Sequence, residues 1–290
     1  MTGPQVDGRL GRQFVGHDPD NNDYLTRPRL AAAPRWDRDR YWPMPDGNFP
    51  LNQGDAPECT GYGTAHELAL GPVQVLGMTP SYAHRRYLRN VEEDRRQGRI
   101  FTGGATVAAT MRAARMDGLI TGYLWNKGLS DTVDALTNVG PVCLGTTWRS
   151  DMFRPDPDGR LHCTGGDAGG HFYVLAARVR NHPKFGAGCW LVNTWGRRWG
   201  VGVPQLNLTA GCAFIVDDDL HELLADTGES VIMRDFFEPP PGAPFHATRV
   251  SRTFHTRQHK TVRRDIEFDT FAEAIGSGRR PCAICRPTED

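Results

Sequence analysis

The 290-residue chain has no net charge to speak of. Its 34 Lys and Arg balance 34 Asp and Glu, which excludes a whole-chain nucleic-acid or membrane-surface binder, since such binding needs an excess of one sign. Any charged function must be local. Long apolar runs are also missing: none approaches the ~18 to 20 residues that cross a bilayer, so a soluble protein with no membrane partner is expected. The opening residues MTGPQVDGRLGRQF lack a basic start followed by ~7 to 15 apolar residues, so no secretory signal is expected and a cytoplasmic location is. Internal repeats are absent, and so is lysine, nearly: Lys127, Lys184 and Lys260 stand against 31 arginines. Seven cysteines are present, an odd number that suggests free thiols, one reactive thiol or metal ligands before a disulfide framework.

Residues 1–40 are polar and repeatedly broken by Gly and Pro, and they read as an extended or disordered arm. A helix is expected from Cys59 to Leu70, although Gly61 and Gly63 each cost about 1 kcal/mol in a helix interior, so packing must hold it. A stronger helix follows Thr79 and Pro80, and a third spans Ala105–Met116, stopping at Asp117-Gly118. After Gly128 the runs 140–148, 171–179 and 189–195 read as short strands. The whole is α+β, helix-rich first and strand-rich second. Proline density at EPPPGAP sets a linker at 238–245, leaving a body at 41–237 and a small module at 246–290.

Three segments carry chemistry. In LNQGDAPECTGYGTAHEL, Cys59 opens a helix, where the dipole and free N–H groups favour a thiolate. Gln53, six residues earlier, could donate a side-chain amide beside the Cys59 N–H, and two donors aimed at one point make an oxyanion hole. GGDAGGHFYVLAARV places His171 at a strand start, and CWLVNTWGRRWG places Asn193 at a strand end.

With these residues the chain resembles the papain-like cysteine peptidases. The Gln53-to-Cys59 spacing, the order Gln, Cys, His, Asn, and Asn193-Thr194-Trp195-Gly196-Arg197-Arg198-Trp199-Gly200 are similar to that family's motifs. The resemblance, over roughly residues 34–220, implies a two-lobe fold, a helical lobe followed by a β-barrel-like lobe. It implies Gln53 as oxyanion donor, Cys59 as nucleophile, His171 as general acid/base and Asn193 as its orienting partner. Trp195 would shield that last hydrogen bond and, with Gly103 and Gly104, border the substrate backbone. Peptide hydrolysis through an acyl-enzyme, with no cofactor for catalysis, is the implied activity. The rivals are an acyl or amide transferase or amidase on the same fold, and an inactive binding protein.

The sequence also departs from the family. Ala56 and Phe101 occupy the places of a usual disulfide pair, which fits a reducing compartment; Thr60 and Gly170 replace more usual neighbours of the nucleophile and the histidine. The arm is too short and broken to copy the long helical pro-region, so control by a removable inhibitory segment is not expected, though an arm near the cleft is compatible with the sequence. Cys143, Cys163, Cys189 and Cys212 read as buried or half-buried spectators, with Cys163 the one to watch for oxidation.

Near the C-terminus, His255 and His259 followed by Cys282 and Cys285 supply four ligands suited to a structural tetrahedral zinc. So small a segment would draw much of its folding energy from the metal. Pro281-Cys282-Ala283-Ile284-Cys285-Arg286-Pro287 resembles the second half-site of the Ada-like zinc-binding module. Six basic and no acidic residues between Arg249 and Arg264 leave a nucleic-acid or protein partner open for this module. The arginine bias and the pairing of modules point to a bacterial or phage origin.

Overall fold

The computed structural model describes residues 9–16, 38–45, 49–72, 74–75 and 77–234, and beyond them 245–247, 253–256, 266–268, 277 and 280–281. The chain divides into two compact units, one of residues 1–113 and 123–233, the other of residues 114–122 and 234–290.

The first unit begins with β1 (Arg12–Gln13) and β2 (Arg40–Tyr41), followed by α1 (Cys59–Ala69), α2 (Pro80–Arg96), β3 (Ala105–Thr106) and α3 (Val107–Met116), whose last turn enters the other unit. Then come β4 (Gly122–Asn126), α4 (Gly128–Asn138), β5 (Val142–Arg149), β6 (Asp167–His182), β7 (Gly186–Val192), β8 (Val201–Val203), β9 (Leu208–Val216), α5 (Asp217–Ala225) and β10 (Glu229–Arg234).

The fold is mixed α+β: helices precede a sheet ordered β4-β10-β5-β6-β7-β9-β8, with β2 added on β6. Every strand pair whose register is recorded in this sheet is antiparallel. The sheet is open, not the barrel-like lobe expected. Its end strands β4 and β8 do not pair with each other among the described residues, and β8 stops after three residues at Pro204, which starts a 3-10 turn.

The expected helices form, within a residue or two. Thr79 caps α2 by accepting the Tyr82 N–H, with Pro80 in the first turn. The two glycines of α1 have a packing reason. A Cβ at Gly61 would lie 2.3 Å from the Ala83 carbonyl oxygen on α2, and one at Gly63 would lie 2.4 Å from the Phe172 ring on β6. Close approach on both sides offsets their low helix propensity, and the whole helix is buried. Helix α4 was not anticipated, although Leu129, Val133 and Leu136 recur at helical spacing; Val133 and Leu136 are buried.

The unit's core runs through the sheet and the tryptophan cluster, with Trp148, Trp195 and Trp199 packed edge to face or tilted among Tyr173, Leu144, Leu175 and Leu191. In the second unit, β11 (Phe245–Ala247), β12 (Thr253–Thr256), β13 (Ile266–Phe268) and β14 (Arg280–Pro281) form a sheet ordered β13-β11-β12-β14. No helix among the described residues is long and apolar enough to cross a membrane.

Candidate active site

Cys59 is the first residue of α1 and is fully buried. The backbone N–H groups of Phe172, Gly11 and Thr60 act on its thiol and favour the thiolate. The Phe172 contact places the thiol against the residue that follows His171. His171 lies on β6, buried, and its Nε2 meets Asn193 Oδ1 at 2.7 Å. The same Oδ1 accepts the Thr194 N–H at 2.7 Å, which fixes the amide with its oxygen towards the ring. Asn193 directly follows β7, so the β6–β7 pairing sets the distance between histidine and asparagine. The imidazole is flanked by Trp148, edge to face at 4.7 Å, and by Trp195, tilted at 4.8 Å. Water is thereby kept from the His171–Asn193 bond, which strengthens it.

Gln53 is held from three directions. Its N–H donates to Thr194 O at 2.9 Å, its Oε1 accepts the Thr194 hydroxyl, and its Nε2 donates to Ala56 O at 2.6 Å and to Arg9 O at 2.8 Å. The segment leading to it is pinned by a residue outside the Gln, Cys, His, Asn set. His66, buried in α1, accepts the Leu51 N–H on Nε2 at 2.8 Å, and burial lowers its pKa to about 3, so it stays neutral. Its position seven residues after Cys59, on the same helix, is its signal in the sequence.

Gly103 and Gly104 border the same place. Asp94, buried, accepts the Thr106 N–H and hydroxyl, both at 2.8 Å, and so anchors the turn that carries the two glycines. Gly104 has φ +81° and donates to the Tyr87 hydroxyl at 3.2 Å.

The cleft is occupied by the chain's own arm. Short and broken as it is, this arm reaches Cys59. Residues 9–13 run across Cys59, with β1 parallel to β3 and Gly11 O accepting the Ala105 N–H at 2.8 Å. A Cβ at Gly104 would lie 1.8 Å from Gly11 O, and one at Gly11 would lie 2.1 Å from Pro57 O; only glycines admit this approach. Gln13 Nε2 donates to Gly103 O at 2.8 Å, and the Arg9 guanidinium lies 4.8 Å from the Trp195 ring centroid and 5.2 Å from that of Phe153.

This occupancy decides the state of the thiol. Burial pushes the Cys59 pKa up to about 11, against the pull of the three N–H donors and the nearby Arg12 guanidinium. With the arm in place Cys59 is therefore a thiol, not the thiolate its helix position suggests. Among the described cysteines, Cys143, Cys189 and Cys212 are buried and Cys163 half-buried; none of them is in a disulfide. Burial raises the pKa of Cys163 and of Cys212, and that of Cys189 to about 12, which makes them poor nucleophiles.

Of the proposed zinc ligands, His255 lies on β12, while His259, Cys282 and Cys285 lie outside the described residues. Among the described residues no group of three or more His, Cys, Asp or Glu is placed to hold a metal.

No family model matches the sequence, and no curated protein matches it. Solved structures give weak matches. Xylellain, a cysteine protease from Xylella fastidiosa, is 12% identical with a TM-score of 0.49, over 80% of this chain and 98% of that one. Digestive procathepsin L 3 of the Tenebrio molitor larval midgut is 13% identical at 0.47, over 78% and 76%. The bromelain protease from Ananas comosus is 12% identical at 0.43, over 67% and 97%. With values this low, the chemistry of the chain rests on its own residues.

Proposed function

We propose that this chain is a cysteine peptidase. The thiol of Cys59 gives its proton to His171 Nδ1 and attacks a peptide carbonyl. Gln53 Nε2 and the Cys59 N–H stabilise the oxyanion, His171 protonates the leaving amine, and water releases the acyl group. Asn193 holds the imidazole through Nε2, so that Nδ1 is the atom that exchanges the proton. The observation that carries this reading is the peptide already seated in the site: the backbone carbonyl of Arg9 accepts the Gln53 amide at 2.8 Å, while Gly11, two residues on, brings its N–H to bear on the Cys59 thiol. A cleft that binds its own backbone in this way fits a peptide substrate.

An epoxide-type thiol reagent tests the assignment. It should label Cys59 in the Gly11→Val chain, where the arm no longer covers the thiol, and spare Gly11→Val/Cys59→Ala; labelling spread evenly over the cysteines would overturn it. A peptide library then separates hydrolysis from acyl transfer, the same dyad serving both, and labelling without turnover of any peptide would favour a binding protein.

We also infer that His255, His259, Cys282 and Cys285 bind a structural zinc, which would supply folding energy to the small C-terminal segment and no catalytic step. Two imidazoles and two thiols in a Cys-x-x-Cys spacing are a suitable donor set. Strand register supports the pairing of the two half-sites: β12 and β14 run parallel with Phe254 opposite Pro281, and these residues immediately precede His255 and Cys282. Elemental analysis of protein with Cys282 and Cys285 both changed to Ser should show zinc lost; unchanged metal content would refute the site.

A further inference from the structure

Beside the reacting groups lies a buried acidic pocket, and the arm fills it with an arginine. Arg12 follows Gly11, the residue on the Cys59 sulfur, and its side chain is only 1% exposed. Nε and Nη2 donate to Glu229 Oε2 at 3.2 and 2.7 Å, and Nη2 also donates to Thr227 O at 2.6 Å. The room comes from two missing side chains on neighbouring strands. A Cβ at Gly145 would lie 3.0 Å from Arg12 Nε and 2.4 Å from Val107 Cγ2. One at Gly170, the residue before His171, would lie 2.2 Å from Arg12 O and 3.0 Å from its Cδ.

The pocket belongs to the body of the unit, and only its occupant comes from the arm. Glu229 opens β10 opposite Gly145 on β5, and Gly170 lies opposite Thr147, so the sheet register builds the walls and the floor without any arm residue. The arm's backbone is held there by a strand of only two residues.

We propose that this pocket selects substrate: once Arg12 withdraws, it takes the side chain of an arginine close to the scissile bond, so that the substrate class is arginine-containing peptides. The inference rests on the peptidase reading above. A planar guanidinium presents two donors to the floor at once, one set for the Glu229 carboxylate and one for the Thr227 carbonyl. A lysine ammonium reaches the same charge as a point donor and fits less well. A neutral side chain would make neither the charge-assisted bond to Glu229 nor the bond to the Thr227 carbonyl that the guanidinium makes.

The test separates this proposal from the reading beneath it by measuring binding without catalysis. In the full-length Cys59→Ala/Arg12→Ala chain, calorimetry should show acetyl-Gly-Arg-Gly-amide binding at least tenfold tighter than acetyl-Gly-norleucine-Gly-amide, with the lysine peptide between them. Adding Glu229→Gln should abolish the difference. Equal affinities, or binding of neither peptide, would overturn the pocket and leave Arg12–Glu229 as a structural clamp. Should Arg12→Ala fail to fold by circular dichroism, Gly11→Val on the Cys59→Ala background empties the same pocket, because a branched Cβ has no room against Pro57 O. In the chain with Cys59 intact, cleavage without preference for arginine sinks the pocket alone. Preferential binding without cleavage of any peptide sinks the peptidase reading alone.

Discussion

The side-chain amide of Gln53 holds the carbonyl oxygen of Arg9 at 2.8 Å, a residue 44 positions earlier in the chain. On the proposed mechanism that carbonyl takes the place of a substrate's developing oxyanion, and substrate and arm would compete for the same donors. The arm holds the cleft closed, and on the proposed peptidase mechanism activity would be set by how readily residues 9–13 leave.

Gly11→Val should open the cleft. A side chain there collides with the Pro57 carbonyl, so the arm is expelled and iodoacetamide should modify Cys59 at least tenfold faster at pH 8, read by mass spectrometry. An unchanged rate would mean that the arm does not guard the thiol. The pH profile should move too. In the wild-type chain the rate rises with pH towards about 11, where the buried thiol ionises; in the variant the midpoint falls, because water reaches the sulfur.

Asn193→Ala removes the 2.7 Å partner of His171 Nε2 and should lower kcat/KM of the opened enzyme by a hundredfold or more, about 2.7 kcal/mol of transition-state stabilisation. Gln53→Ala should cost about 10²–10³ in kcat, as loss of one oxyanion donor does elsewhere. Steady-state kinetics on the Gly11→Val background measures both. A Gln53→Ala enzyme with unchanged kcat would remove Gln53 from the chemistry.

Gly61→Ala should destabilise the protein by about 1–3 kcal/mol in urea unfolding, even though alanine is the better helix former. The new methyl meets backbone atoms of α2, which cannot swing away as a side-chain tip would. A stabilised variant would show that α1 and α2 are less closely packed.

Acid should weaken the protein through His66. Its imidazole is neutral in the fold, with a pKa lowered by burial to about 3 against an ordinary 6.5, so its contribution is complete above pH 6.5 and is lost as pH falls towards 3. His66→Leu strands the Leu51 N–H and should be less stable by about 1–3 kcal/mol at pH 7. The gap to wild type should narrow at pH 4 in urea melts; a constant gap would show that His66 does not titrate there.

The sequence by itself determined the identities and order of Gln53, Cys59, His171 and Asn193, and the elements that carry them. Strand ends, the Cys-headed helix and the glycine turns are written in local propensity and short spacing. It also announced the α+β division and the long helix after Thr79, whose cap and proline are local features. What it left out depended on contacts distant in the chain. The use of Gly61 and Gly63 appears only when α2 and Phe172 are brought against them. The open sheet follows from which strands end unpaired, which no local pattern encodes. The arm reads as polar and broken because its partners lie elsewhere: Arg12 finds its counter-charge 217 residues away at Glu229, and the Gly11 N–H finds a sulfur. Local chemistry named the candidate groups, and tertiary structure decided that they rest covered, since burial of a thiol and pairing of a charge are properties of the folded neighbourhood and not of the residue.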